Sequence, residues 1–174
     1  MSSTSFEKSK IENIDLAQIE YLSDIPISKK DIIVIEPNDA IAITIRKFLL
    51  DLNYENIYIC KNLDEGLKIF LDFISNEINV PIIIDDSKSK NIENIVREIL
   101  EIQPNAIIVL VTKKEKTDPK ISRLVDIGIN SIASKPLNFD DFKKSLSNMY
   151  EKNNENIEDV IEKSNESAEQ VKRE

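Results

Sequence analysis

Five chemistry-bearing residues follow short apolar runs. Glu36 follows DIIVI, Asp85 and Asp86 follow PIII, Thr112 follows AIIVLV, and Lys135 follows NSIAS. Nearby carboxylates attract a hard cation such as Mg²⁺, which prefers oxygen ligands. A cation beside Asp85 would let a phosphoryl group approach an otherwise repelling anion, and the carboxylate could then act as nucleophile and form an acyl phosphate. A lysine amine and a threonine hydroxyl suit the remaining phosphoryl oxygens. Any one of these residues alone would be an ordinary polar loop position. The ordered set, delivered by four separate runs, points to a site. On an open edge the carboxylates are expected to stay hydrated while the isoleucines behind them are core.

The runs themselves read as strands. Segments 31–36, 56–60, 81–85, 106–112 and 130–134 are short and rich in β-branched residues. Three are continuous apolar stretches, as strands buried on both faces require. Between them the period changes to that of a helix. Ile41, Ile45, Phe48, Leu49 and Leu52 form one stripe, and Leu63, Leu67, Phe70, Leu71 and Ile74 a second. Ile92, Ile95, Val96 and Ile99 form a third, Ile121, Leu124 and Val125 a fourth, and Phe139, Phe142, Leu146 and Met149 a fifth. Strand and helix alternate five times, which predicts an α/β fold: a doubly wound, five-stranded parallel sheet with helices on both faces. In such a sheet ligands bind beyond the carboxyl ends of the strands, where the five residues lie. Asn38 or Asp39 is placed to cap the first helix, Asp118 before Pro119 to start the fourth, and Gly128 to end it.

The domain is read as 29–150. Residues 1–28 form a polar N-terminal extension with a weak helical pattern at Ile11, Ile14, Ala17 and Tyr21. Residues 151–174 form an acidic and polar tail with a thin stripe at Ile157, Val160, Ile161, Ala168 and Val171, read as a solvated, partly helical segment or as a docking or dimer helix.

Composition removes whole classes of function. The 174 residues carry a net charge of −9, which disfavours direct nucleic-acid contact. No apolar run approaches the roughly 18 residues of a membrane span, and the N-terminus has no apolar signal core, so a cytoplasmic protein is expected. There is no histidine, which excludes histidine triads and imidazole metal sites. Cys60 is the only cysteine and reads as a buried structural thiol. The two glycines, Gly66 and Gly128, are too far apart for a phosphate-binding loop.

With these residues in view, the chain resembles the receiver domain of two-component response regulators over about residues 30–150, through IIVIEPND, PIIIDDSKS, IIVLVT and GINSIASKPL. The resemblance implies the CheY-like strand order 2-1-3-4-5 and a phosphoacceptor at Asp85, with Asp86 as the acceptor if the register slips by one. It implies phosphate-binding roles for Thr112 and Lys135, a cis bond between Lys135 and Pro136, and Mg²⁺ held weakly by Glu36, Asp85 and the backbone carbonyl of Ser87. It implies a stand-alone response regulator that takes its phosphoryl group from a histidine kinase and signals through its fourth helix, fourth strand and fifth helix to another protein, with a homodimer open to it.

The sequence departs from that pattern at three positions. Pro37 stands where receivers carry a second acid, Lys113 where they carry a small residue after the strand-four hydroxyl, and Ile132 where they commonly carry an aromatic. These departures favour the alternative, a phosphate-independent pseudo-receiver acting as a protein-binding module. An enzyme is not expected. A phosphatase with an aspartate nucleophile needs a second acid two residues on, where this chain has Ser87 or Lys88.

Overall fold

The computed structural model describes residues 24–87 and 91–150. Its strands are β1 (Asp31–Ile35), β2 (Asn56–Cys60), β3 (Ile82–Asp85), β4 (Ile108–Thr112) and β5 (Ser131–Ser134). Its helices are α1 (Asp39–Asp51), α2 (Leu63–Ser75), α3 (Ile92–Ile102), α4 (Pro119–Ile127) and α5 (139–150). The strands form one parallel sheet in the order β2-β1-β3-β4-β5. The expected topology is the observed one.

The sheet divides two cores. On one face Ile32, Val34, Ile83, Val109 and Val111 pack against Ile45 and Leu49 of α1 and Phe142, Leu146 and Met149 of α5. On the other, Ile33, Ile35, Ile84 and Leu110 meet Phe70 of α2, Val96 and Ile99 of α3, and Ile121 and Leu124 of α4. Each fully buried side chain of this kind is worth about 1.5–3 kcal/mol. Two residues read as core-facing are not: Leu71 and Val125 are 40% and 38% exposed. Both lie beside a deeper neighbour, Phe70 and Leu124 respectively, which takes the centre of the stripe.

The helix ends follow the expected chemistry. Asn38 rather than Asp39 caps α1, its side chain accepting from the amide of Ile41 at 3.0 Å. Asp118 caps α4 by accepting from Lys120 at 2.9 Å, with Pro119 at the first helical position. Gly128 closes α4 at φ 135°, a conformation few side chains tolerate. Gly66 lets α2 approach β1: a Cβ there would lie 2.5 Å from Cδ1 of Ile35.

The packed domain starts earlier than residue 29. Ile25 is buried, Ile27 forms a parallel bridge with Asn79, and the amide of Ser28 donates to the Asn79 carbonyl at 2.9 Å. The proposed N-terminal helix (Ile11 to Tyr21) and the tail stripe lie outside the described residues.

Candidate functional site at the carboxyl edge

Strand alternation decides which side chains meet. Glu36, Asp85 and Lys135 each lie two residues beyond a strand residue of the α1/α5 core, namely Val34, Ile83 and Ala133. Side chains two apart share a face, so these three converge on that side. Lys135 Nζ forms an ion pair with Asp85 Oδ2. Asp85 Oδ1 accepts from the backbone amide of Ser87 at 2.7 Å. Lys135 is set in place by its own amide, which donates to the Thr112 carbonyl at 2.9 Å, and its bond to Pro136 is cis.

The acids are buried, which corrects the expectation of hydrated, partly exposed carboxylates. The Asp85 and Lys135 side chains are 0% and 6% exposed, and Glu36 and Asp86 are also buried. Burial is tolerated because each charge is met locally. Glu36 Oε1 accepts from the amide of Asn38 at 3.0 Å, while Oε2 is buried with no N–H or hydroxyl partner. A proton on this carboxyl would find its acceptor in the neighbouring Asp85 carboxylate. Accordingly, burial first, and then the neighbouring Asp85 carboxylate, push Glu36 up to about 7. For Asp85 burial alone would raise the pKa, but interactions with Glu36, Lys135 and Ser87 outweigh it and hold the carboxyl below its ordinary value.

Asp86 and Thr112 lie two residues beyond Ile84 and Leu110, which belong to the opposite core. Their side chains meet there: Thr112 Oγ1 donates to Asp86 Oδ2 at 2.6 Å. Lys114 Nζ donates to the same oxygen at 3.0 Å, and the Lys114 amide donates to Thr112 Oγ1, also at 3.0 Å. The hydroxyl expected to serve Asp85 together with Lys135 is therefore bonded to Asp86. Lys114 was not singled out in the sequence; the only signal for it is its place two residues beyond the strand-four hydroxyl. Lys113, its neighbour, instead lines an open cavity of about 570 Å³ with Ile41, Thr44, Lys135, Pro136 and Leu137. Asp85 is the last residue of β3 and Asp86 follows it, so Asp85 holds the strand-end position. Ile132 is half-buried and packs on the α2–α4 side.

The residues present do not make a fitted Mg²⁺ site. Two carboxylates face one another, Glu36 is held well above the usual carboxylate range by burial, and Asp85 is already paired with Lys135. Pro37 adds no ligand. Among the described residues no cluster of three or more acidic or cysteine side chains could hold a metal ion, and no helix is long and apolar enough to cross a membrane.

No protein-family model and no curated protein matches the chain. Solved structures do. A response regulator receiver domain protein from Clostridium thermocellum aligns at 25% identity and TM-score 0.55, covering 68% of this chain and 92% of its own. A CheY-like receiver domain protein from Methanospirillum hungatei aligns at 21% identity and TM-score 0.57, covering 74% and 99%. The beryllofluoride-activated NtrC4 receiver domain dimer aligns at 18% identity and TM-score 0.59, covering 71% and 98%. With this strand order, the described part of the chain has the fold of CheY-like response regulator receiver domains.

Proposed function

We propose that this domain is a signalling module of the pseudo-receiver kind, acting through contact with another signalling protein and not through phosphorylation of Asp85. The carrying observation is the state of Asp85: its side chain is fully buried, with Lys135 on one oxygen and the Ser87 amide on the other. An attacking carboxylate oxygen must reach the phosphorus, and here it first has to leave its partners. The contact surface fits the groove of about 470 Å³ between α4, β5 and α5, where the exposed Val125 and half-buried Ile132 lie among Lys116, Asp141 and Lys144. Apolar residues ringed by charges suit a protein partner. No chemical step on a substrate is part of this reading, and the location in the cell is taken as cytoplasmic on the composition.

The second reading, phosphoryl transfer from a histidine kinase to Asp85, is favoured by one observation: Lys135 is delivered onto Asp85, where its ammonium could equally stabilise an acyl phosphate. Incubation with a small phosphodonor at saturating Mg²⁺, followed by intact mass, separates the two. The expected result is no added phosphoryl mass. A phosphoryl mass on the natural chain that vanishes in Asp85→Asn would establish the second reading, and one that persists in Asp85→Asn would move the acceptor to Asp86.

A further inference from the structure

Asp86 takes no part in the Asp85 cluster, yet it is buried and fully engaged. The β3–β4 register sets Asp85 opposite Val111, and the Asp86 amide donates to the Val111 carbonyl at 3.2 Å. Asp86 therefore stands beside Thr112, and both side chains fall on the α2–α4 face, away from Asp85. There the three residues close a ring. The Thr112 hydroxyl donates to the Asp86 carboxylate, the Lys114 ammonium donates to the same oxygen, and the Lys114 amide donates to the Thr112 hydroxyl. At 2.6 Å the hydroxyl–carboxylate bond has the short length of a charge-assisted contact.

A threonine hydroxyl has one proton to donate. While Asp86 holds it, Thr112 cannot donate to any group at Asp85. We propose that Asp86 is a positioning residue: an internal anion that clamps Thr112 and Lys114, and so fixes the connection leading to α4 with no phosphoryl group present. The inference rests on the pseudo-receiver reading, and explains how a fixed α4 surface could be offered to a partner without a switch. Among the described residues little else holds this connection. Lys113 is exposed, and the next backbone anchor is the Asp118 amide on the Glu115 carbonyl at 3.0 Å.

Amide hydrogen exchange on the full chain tests the clamp. A hydrogen bond to a charged group holds back local opening by about one to two orders of magnitude. In Asp86→Ala the amides of residues 114–118, 120 and 121 are therefore expected to exchange about tenfold faster or more, while those of β1 and β2 keep their natural rates. Thr112→Val should reproduce this pattern and Thr112→Ser, which keeps the hydroxyl, should not. The double variant Asp86→Ala/Thr112→Val should exchange no faster than Asp86→Ala, because both changes open the same ring. An unchanged Lys114 amide in Asp86→Ala, a Thr112→Ser chain that behaves like Thr112→Val, or additive rates in the double variant would each overturn the proposal. Should Asp86→Ala fail to fold, the Thr112→Ser and Thr112→Val pair decides the question alone. Phosphorylation of the natural chain on Asp85 would sink the pseudo-receiver reading by mass, a readout independent of these rates.

Discussion

Replacing Lys135 by Met keeps the length of the side chain and removes its charge, leaving Asp85 buried without its cation. With the two side chains 6% and 0% exposed, solvent screens the natural pair little. Removing one partner of such a pair costs about 3–5 kcal/mol, because the other charge stays desolvated. Here the loss has a ceiling, since Asp85 can take up a proton once the ammonium is gone, at about 1.4 kcal/mol per pH unit between its ordinary value of 3.8 and the pH of the solution. Glu36 beside it is pushed up to about 7, so both carboxyls can become neutral with no cation required. The lower end, about 3 kcal/mol at neutral pH, is therefore expected, which for a chain of this size lowers Tm by roughly 10 °C. Because there is no tryptophan, urea and thermal melts are followed by far-ultraviolet circular dichroism.

The pH dependence of this variant has a definite sign. In the natural chain the folded pKa of Asp85 lies below its ordinary value of 3.8. Its contribution is thus fully present at neutral pH and is lost as pH falls through the folded pKa. In Lys135→Met the deficit is greatest at neutral pH and shrinks on acidification, so the two stability curves converge. The double variant Asp85→Asn/Lys135→Met should recover most of the loss, since neither charge is then buried. A loss under about 1 kcal/mol at neutral pH, or a loss that does not vary with pH, would refute the claim that Asp85 is an ionised group held by Lys135.

Three other perturbations address the remaining links. Glu36→Gln keeps a polar side chain that cannot ionise. In the natural chain the folded state retains the Glu36 proton that the unfolded state loses, so Glu36's contribution to stability declines from pH 4.5 to about 7. Urea midpoints across that range should show a shallower decline in the variant, and an equal slope would deny the raised pKa. Pro37→Asp supplies the acid missing beside Glu36, so millimolar Mg²⁺ should raise its Tm but leave that of the natural chain nearly unchanged; equal shifts would show that the second acid is not what limits binding. Gly66→Ala gains about 1 kcal/mol of helix propensity, but its Cβ meets Ile35 Cγ1 at 2.7 Å. Overpacking of about 1–3 kcal/mol should leave a net loss in the urea midpoint; a gain would mean that Ile35 moves aside freely.

The fold was legible because each level of the sequence agrees. Continuous apolar runs such as IIVI and IIVLV alternate with 3.6-period stripes, and Asn38, Asp118 and Gly128 mark helix ends by their own chemistry. The identities at the carboxyl edge were legible for the same reason, since strand ends are countable. What could not be read was burial and partnership. A run ending in two acids suggests hydration when the counterions are unknown, and those counterions, Lys135 and Lys114, lie 50 and 28 residues from the carboxylates they meet. The destination of the Thr112 hydroxyl likewise depends on the β3–β4 register, which the sequence of neither strand specifies.

The three acids at this edge are accommodated in three different ways. Glu36 is pushed up to about 7 by burial and by Asp85, Asp85 faces Lys135, and Asp86 faces Lys114 and the Thr112 hydroxyl. The arrangement is close to charge-balanced before any ligand arrives. An acyl phosphate on Asp85 would carry about −1.5 to −2 charges in place of the carboxylate's single one, a net addition of about one charge at most, and Lys135 and Lys114 are already committed. Among the described residues, Lys113, exposed at the rim of the adjoining cavity, could turn toward the newcomer without breaking one of those pairs. Phosphorylation here would therefore require either a bound divalent cation, for which Pro37 offers no ligand, or the release of Lys135 from its present role. That balance supports the proposed pseudo-receiver reading, in which the faces of the helices around the edge carry the contact with a partner.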